Sequence, residues 1–162
     1  MARMAAAVRD ILVRNAEASD AGEIAALVNQ AFSVERFFVD GDRTDEAEVI
    51  ELMARGDFMC AEQGGELVGC VFVERRGQRG YFGMLSVSPQ RQGLGIGRLL
   101  VERCEAFFRR AGCEAVDIKI VHLRSELPPF YRALGYSETG TAPFVDDKLK
   151  QTTHFVVMSK PL

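Results

Sequence analysis

Apolar positions along the chain switch between helical and strand spacing several times. Ile11 to Arg14 reads as a short first strand. Ser19, Asp20 and Glu23 stand where a helix start places them, and Ile24, Leu27, Val28 and Ala31 recur on one helical face. Phe32 to Asp42 breaks that pattern while carrying Phe32, Phe37 and Phe38. Thr44 is placed to cap a second helix, with Val49, Leu52 and Met53 as its buried stripe and Gly56 at its end. Phe58 to Glu62 and Glu66 to Glu74, joined through Gln63-Gly64-Gly65, predict a hairpin. Arg75 to Gly80 reads as a polar connection. Tyr81 to Val87 is almost continuously apolar, which predicts burial on both faces and a central position.

A longer helix pattern starts near Gly97. It places Ile96, Leu99, Leu100, Cys104, Phe107, Phe108 and Ala111 on one face, and Glu105 with Arg109 as a surface pair. Gly112 ends it, and Val116 to Val121 follows as a strand. A strand, a helix and a strand at this spacing imply a parallel pair. Pro128 and Pro129 suit the first turn of a short helix through Leu134, ended by Gly135. Tyr136 to Thr139 and His154 to Lys160 read as the last two strands, with Thr141 to Thr153 between them as a mobile-looking segment. The order is β-α-α-β-β-β-α-β-α-β-β. It predicts a single α/β domain over 1–162, with a mixed sheet, helices on both faces and a flexible extension over 1–10.

The stretch between the central strand and the long helix is Gln92-Gly93-Leu94-Gly95-Ile96-Gly97. Alternate glycines let the backbone approach a ligand, and a helix start offers unpaired N–H groups with partial positive charge. Together they suit a phosphate-type anion. The spacing is not the G-x-G-x-x-G of a dinucleotide fold, although Asp117 lies where a ribose-binding acid would stand. Too little chain follows for such a domain. No Gly-Lys-Ser/Thr follows either, so the loop is not a P-loop. A glycine turn without a ligand stays open on the loop alone.

Composition narrows the classes. A chain of 162 residues, 48% hydrophobic, supports one core. Its formal net charge of −3 argues against nucleic acid or an anionic membrane as main partner. No apolar run approaches a membrane span, and Met1 to Arg9 lacks the features of a secretion signal. Cys60, Cys70, Cys104 and Cys113 show no metal spacing and read as reduced, packed thiols, Cys60 facing Cys70 across the hairpin. No metal is expected, and the cytoplasm is the expected compartment.

Val87-x-Pro89-x-x-Gln92-x-x-Gly95-x-Gly97 closely resembles motif A of the GNAT superfamily, the acetyl-CoA-dependent N-acetyltransferases. Phe130-Tyr131-Arg132-Ala133-Leu134-Gly135-Tyr136 resembles motif B of the same family. The resemblance implies a mostly antiparallel sheet whose central parallel strands splay apart, with the pantetheine arm of acetyl-CoA entering the gap. It implies backbone contacts to that arm from Leu85 and Val87. It also implies a pyrophosphate cradle from Gln92, Gly93, Leu94, Gly95, Ile96, Gly97 and Arg98, and a general acid at Tyr131. Many members carry an asparagine seven positions before that tyrosine; here Arg124 stands there, free on this reading to meet phosphate or acceptor.

The central strand offers no Asp, Glu or His as a base. His122 and His154 read as isolated structural residues. In the fold that the resemblance implies, such connections lie over the acetyl end of the cofactor, so the acceptor pocket is expected to be bordered by the Phe32–Asp42 and Thr141–Thr153 segments, with Glu35, Phe38 and Phe144 receiving a cationic amine, Glu35 first. Asp40, Asp42, Asp146 and Asp147 lie in the same segments. Two functions follow: acetyl transfer to a primary amine by direct attack in a ternary complex, or a non-catalytic acyl-CoA-binding or sensing domain on the same fold. An NAD-linked enzyme fits less. The acceptor's identity, a small molecule or a peptide, and the oligomeric state, a homodimer included, stay open.

Overall fold

A computed structural model describes residues 10–162. The extension expected over 1–10 thus lies outside the described residues, apart from Asp10. Seven strands form one sheet: β1 (Leu12–Asn15), β2 (Asp57–Gln63), β3 (Glu66–Arg76), β4 (Arg79–Val87), β5 (Ala115–Val121), β6 (Ser137–Pro143) and β7 (His154–Pro161), in the order β1-β2-β3-β4-β5-β7-β6. Every pairing is antiparallel except β4 with β5. Four helices cover it: α1 (Ala21–Ala31), α2 (Glu46–Met53), α3 (Ile96–Arg110) and α4 (Leu127–Ala133).

The period-2 alternation of the strands feeds two cores. Met59, Ala61, Val71 and Val73 face a layer with Leu100, Cys104 and Phe108 of α3. Phe58, Cys60, Cys70 and Phe72 face the opposite layer with Ile24 and Val28 of α1 and Val49 of α2. Gly80 sets how closely α3 lies on the sheet: a Cβ there would stand 2.4 Å from the Phe108 ring. Cys60 pairs with Cys70 across the hairpin as expected, and all four cysteines are buried and unbridged.

Several elements differ from the sequence reading. β3 and β4 run to Arg76 and from Arg79, so the polar connection expected over Arg75 to Gly80 shrinks to a turn at 77–78. Asp45, not Thr44, caps α2 by accepting from the Glu48 amide; the Thr44 hydroxyl instead meets the Glu48 carboxylate at 2.7 Å. Glu105 is not on the surface. It is buried, accepts from the Tyr136 hydroxyl at 2.7 Å and pairs with Lys160 at 3.0 Å. The segment expected to be mobile begins as strand β6 and is then tied to the Phe32–Asp42 segment by a bridge between Val39 and Leu149.

The α1 entry is pinned by charge. Arg14 of β1 holds Asp20 through two bonds of 2.8 Å, and the Asp20 carboxyl is drawn down to about 2, first by that guanidinium. A carboxyl depressed in the fold contributes stability above its unfolded value of 3.8 and loses it as pH falls through 2. Discounted for partial exposure, the pair contributes about 1–2 kcal/mol at pH 7. Asp20→Asn should therefore lower Tm at neutral pH, and a Tm series should show the gap closing between about pH 4 and pH 2.

Candidate active site

The two central strands part company in mid-sheet. β4 and β5 pair only at Arg79–Ala115, Gly80–Val116 and Tyr81–Asp117. Beyond these, β4 keeps its partner β3 and β5 keeps β7, so their facing edges separate. Arg79 closes the paired end by a bidentate contact with Asp117, both bonds 2.7 Å. Asp117 is thereby committed to Arg79, and it also accepts from the Ser159 hydroxyl at 2.5 Å.

The parting coincides with a bulge. Cys70 opposes Ser86 and Phe72 opposes Gly83, which leaves Met84 and Leu85 together opposite Val71. Met84 takes φ +52°, unusual for a residue with a long side chain. Its carbonyl accepts from the Ser86 hydroxyl at 3.0 Å. Bulges re-aim the backbone of one strand, here on the edge that has lost β5. The same feature accounts for a departure from expectation: Tyr81, Gly83, Met84, Leu85 and Val87 are only half-buried, because the strand leaves its neighbour instead of running between two.

β4 runs out through Pro89–Arg91 to the glycine loop. Gly93 and Gly95 take φ +79° and +88°, a region closed to most side chains. Gly95 is the N-cap of α3 and has no side chain to cap the first turn, and no other side chain does so. The amides at the start of this fifteen-residue helix are left for a ligand, with the helix dipole behind them. The Gln92 amide reaches back to the Val87 carbonyl at 3.5 Å, closing the loop on the strand. Gly97 lies between Val87 and Phe130. Arg98 is exposed and, among the described residues, pairs only with Glu102, at 3.1 Å. This donor set fits an anionic pyrophosphate: backbone amides, no capping oxygen, and a cation free to swing.

Tyr131 of α4 packs its ring against Phe82, Phe130 and Tyr136, at centroid distances of 6.2, 5.0 and 5.7 Å. Phe82 follows the last residue of β4 that pairs with β5. Burial pushes the phenol above its ordinary value, with the Arg124 charge pulling against it. No fully buried polar side-chain atom among the described residues lacks a partner. The Tyr131 hydroxyl, which has none there, is therefore open to a surface.

The acceptor residues read from sequence are arranged otherwise than expected. Glu35 is buried and bonded to Arg124 at 2.7 Å, eighty-nine positions away. Arg124 also bonds Glu126. Burial pushes the Glu35 carboxyl up, and the guanidinium draws it back. Its charge is thus matched within the protein, and it offers no free anion to an ammonium group. Phe38 is fully buried rather than lining a pocket. Phe144 stacks on Phe155 at 4.6 Å. Asp40 pairs with Lys150, and Asp42 with Arg36. His122 and His154 are not isolated: their rings stack at 4.1 Å, and Thr153 bonds His122 Nδ1 at 2.7 Å.

The Glu35–Arg124 pair does brace the first acceptor segment against the turn after β5. Glu35→Gln leaves the half-buried Arg124 guanidinium with Glu126 as its one acidic partner among the described residues and should cost about 1–3 kcal/mol, measured by urea unfolding. Glu35→Gln with Arg124→Met should recover much of it, since removing both charges removes the desolvation cost as well.

The sequence reading missed a cleft of about 460 Å³ on the α1–α2 side of the sheet. Arg43, Arg55, Arg76, Tyr81, Gly83 and Met84 line it. Gly83 and Met84 stand at the bulge. The residues come from the α2 segment, β3 and β4, which helix packing and sheet pairing bring together, and treating Arg75–Gly80 as a loop hid the approach of Arg76 to Tyr81.

A family model described as an acetyltransferase (GNAT) domain matches residues 54–138, more than half of the chain. An IAA acetyltransferase of Azospirillum brasilense is 28% identical over 144 residues, which span 85% of this chain and 91% of that protein. The ribosomal-protein-S18-alanine N-acetyltransferase of Escherichia coli superposes with a TM-score of 0.78 at 14% identity, over 93% of each chain. A putative acetyltransferase of Salmonella typhimurium, solved with its cofactor acetyl-CoA, gives 0.76 at 21% identity over 94% of each chain. The two structures share this fold, and the family model spans both motif A and motif B: the chain belongs to the GNAT acetyltransferase family.

Proposed function

We propose that this acetyltransferase transfers the acetyl group of acetyl-CoA to a primary amine, by direct attack while both are bound. The observation that carries the reading is the coincidence of three features at one end of β4: the parted edge, the bulge and the uncapped start of α3. Backbone amides from Gly93 to Arg98 would hold the pyrophosphate, with Gln92 closing the loop and Arg98 adding a cation. Leu85 and Val87, on the unpaired edge of β4, would offer backbone groups to the pantetheine arm and the acetyl carbonyl. Acetyl-CoA supplies an activated acyl group as a thioester. The amine nitrogen bonds to the acyl carbon as the C–S bond breaks, and Tyr131 gives the departing sulfur its proton. The proton lost by the nitrogen returns to the tyrosine through water. The buried, unbridged cysteines fit a reducing compartment, and no described helix is long and apolar enough to cross a membrane.

The test is incubation with acetyl-CoA and an amine panel, following free thiol and product mass together. Thiol release coupled to an N-acetylated product supports the reading. Tight acetyl-CoA binding with no thiol release across aliphatic, aromatic, amino acid and peptide amines would overturn it.

A further inference from the structure

Gly83 and Met84, at the bulge, are themselves among the residues that line the cleft on the α1–α2 face, so a molecule lying in it meets the bulge. Three guanidinium groups line it: Arg43 from the segment before α2, Arg55 from the turn after it, and Arg76 from the end of β3. The Arg76 guanidinium carbon stands over the Tyr81 ring, 3.9 Å from its centroid. That contact uses none of the N–H donors of the guanidinium fork, whose geometry matches a carboxylate. The Tyr81 hydroxyl folds along β4, 2.7 Å from where a Cβ of Gly83 would stand, so it lies beside the bulge. It has no hydrogen-bond partner among the described residues, and it is not a fully buried orphan.

The acids of the cleft do not cancel this. Glu48 is committed to the Thr44 hydroxyl at 2.7 Å and to Arg43 at 3.7 Å. Glu51 sits exposed on α2. Glu74 takes one edge of Arg76 at 3.2 Å. Arg55 has no ion pair among the described residues. Burial pushes the Tyr81 phenol up, with the Glu74 charge adding to that push, while the Arg76, Arg43 and Arg55 charges pull against it.

We infer that the acceptor is a small amine that also carries a carboxylate, held by Arg55, Arg76 and the Tyr81 hydroxyl with its nitrogen toward the Met84–Leu85 bulge. This rests on the acetyl-transfer reading above. It reverses the expectation of a purely cationic acceptor met by Glu35. The carboxylate is bound by the arginines, and the nitrogen is left toward the Gly83 and Met84 backbone at the bulge.

The experiment has two arms. In the first, kcat/KM is measured for amines in pairs that differ only in the carboxylate: phenylalanine with 2-phenylethylamine, and methionine with 3-(methylthio)propylamine. The acids should be preferred by roughly 10–100-fold, the worth of one or two charge-assisted hydrogen bonds, and that ratio should collapse in Arg55→Glu and in Arg76→Gln. Arg55 is exposed, so its variant has no packing to lose. In the second arm, which needs no turnover, side-chain Nε–H signals of the arginines are followed by NMR in the CoA-bound protein. N-acetyl-L-phenylalanine is titrated in, with its amide as the control. The acid should shift the Arg55 and Arg76 signals at concentrations where the amide does not. Equal shifts from acid and amide, or a preference for the carboxylate-free amines, overturns the inference. Failure of acetyl-CoA to bind at all would instead sink the acetyl-transfer reading, and the same titration of the cofactor-free protein would then judge the carboxylate site on its own shifts.

Discussion

Gly95→Glu is expected to weaken acetyl-CoA binding by about 100-fold or more while leaving the protein folded. Two costs add. Gly95 sits at φ +88°, where an L-residue carries about 1–2 kcal/mol of strain. That strain is present with and without ligand, so it costs stability more than affinity. The second cost falls on binding. The residue is the N-cap of α3, at the point where the uncapped amides and the helix dipole are proposed to receive a pyrophosphate. A carboxylate there competes for those amides as a capping group and repels the phosphates. One charge pair at about 4 Å is worth about 4 kcal/mol at the dielectric of a protein surface. Gly95→Asn separates the two terms, because asparagine tolerates the left-handed region and brings no charge. Calorimetry should find its affinity much nearer to wild type. Unchanged acetyl-CoA affinity in a folded Gly95→Glu protein would remove the glycine loop from the cofactor site.

Local signals were legible in the sequence, and pairings between distant segments were not. The element order, the parallel pair and the glycine loop followed from period, turn residues and helix starts, each of which is encoded within a dozen positions. Asp45 displaced Thr44 as the cap because adjacent residues can both serve, and the choice depends on where the chain enters the helix. Glu105 was read as exposed because Arg109 stands four positions on. Its actual partners, Tyr136 and Lys160, lie on β-elements and a helix end that no local spacing reveals. Glu35 failed as a free acid for the same reason, since Arg124 is eighty-nine positions away. The bulge at Met84 has no sequence mark of its own: methionine is not a residue that favours positive φ, and only the register against β3 exposes the extra residue. The arginine-lined cleft depends on that bulge and on the hairpin register. It was therefore the part of the site furthest from reach.

Tyr131→Phe is expected to lower kcat by roughly 10²–10⁴-fold, with acetyl-CoA affinity little changed. The substitution is well posed structurally. The ring stays, so its contacts with Phe82, Phe130 and Tyr136 stay. The hydroxyl has no partner among the described residues, so its removal orphans nothing, and stability should move by less than about 1 kcal/mol. A large kinetic loss would then belong to the proton. The pH dependence gives a second check. Burial holds the phenol above its ordinary value near 10, so Tyr131 stays protonated through the whole assay range. A general acid with a raised value loses activity only when pH climbs past it. The wild-type kcat profile should therefore show no descending limb from this group below about pH 10, while kcat/KM rises as the acceptor ammonium loses its proton. The same upward push makes the phenol a reluctant donor to a thiolate whose own value is near 8.5, which favours the lower end of the expected loss. The Arg124 charge pulls the phenol down against the larger push of burial, so a neutral residue at 124 should make the donor weaker still and lower kcat further. Wild-type turnover by the phenylalanine variant on a confirmed acceptor would reduce Tyr131 to a packing residue, and the leaving thiolate would then take its proton from water.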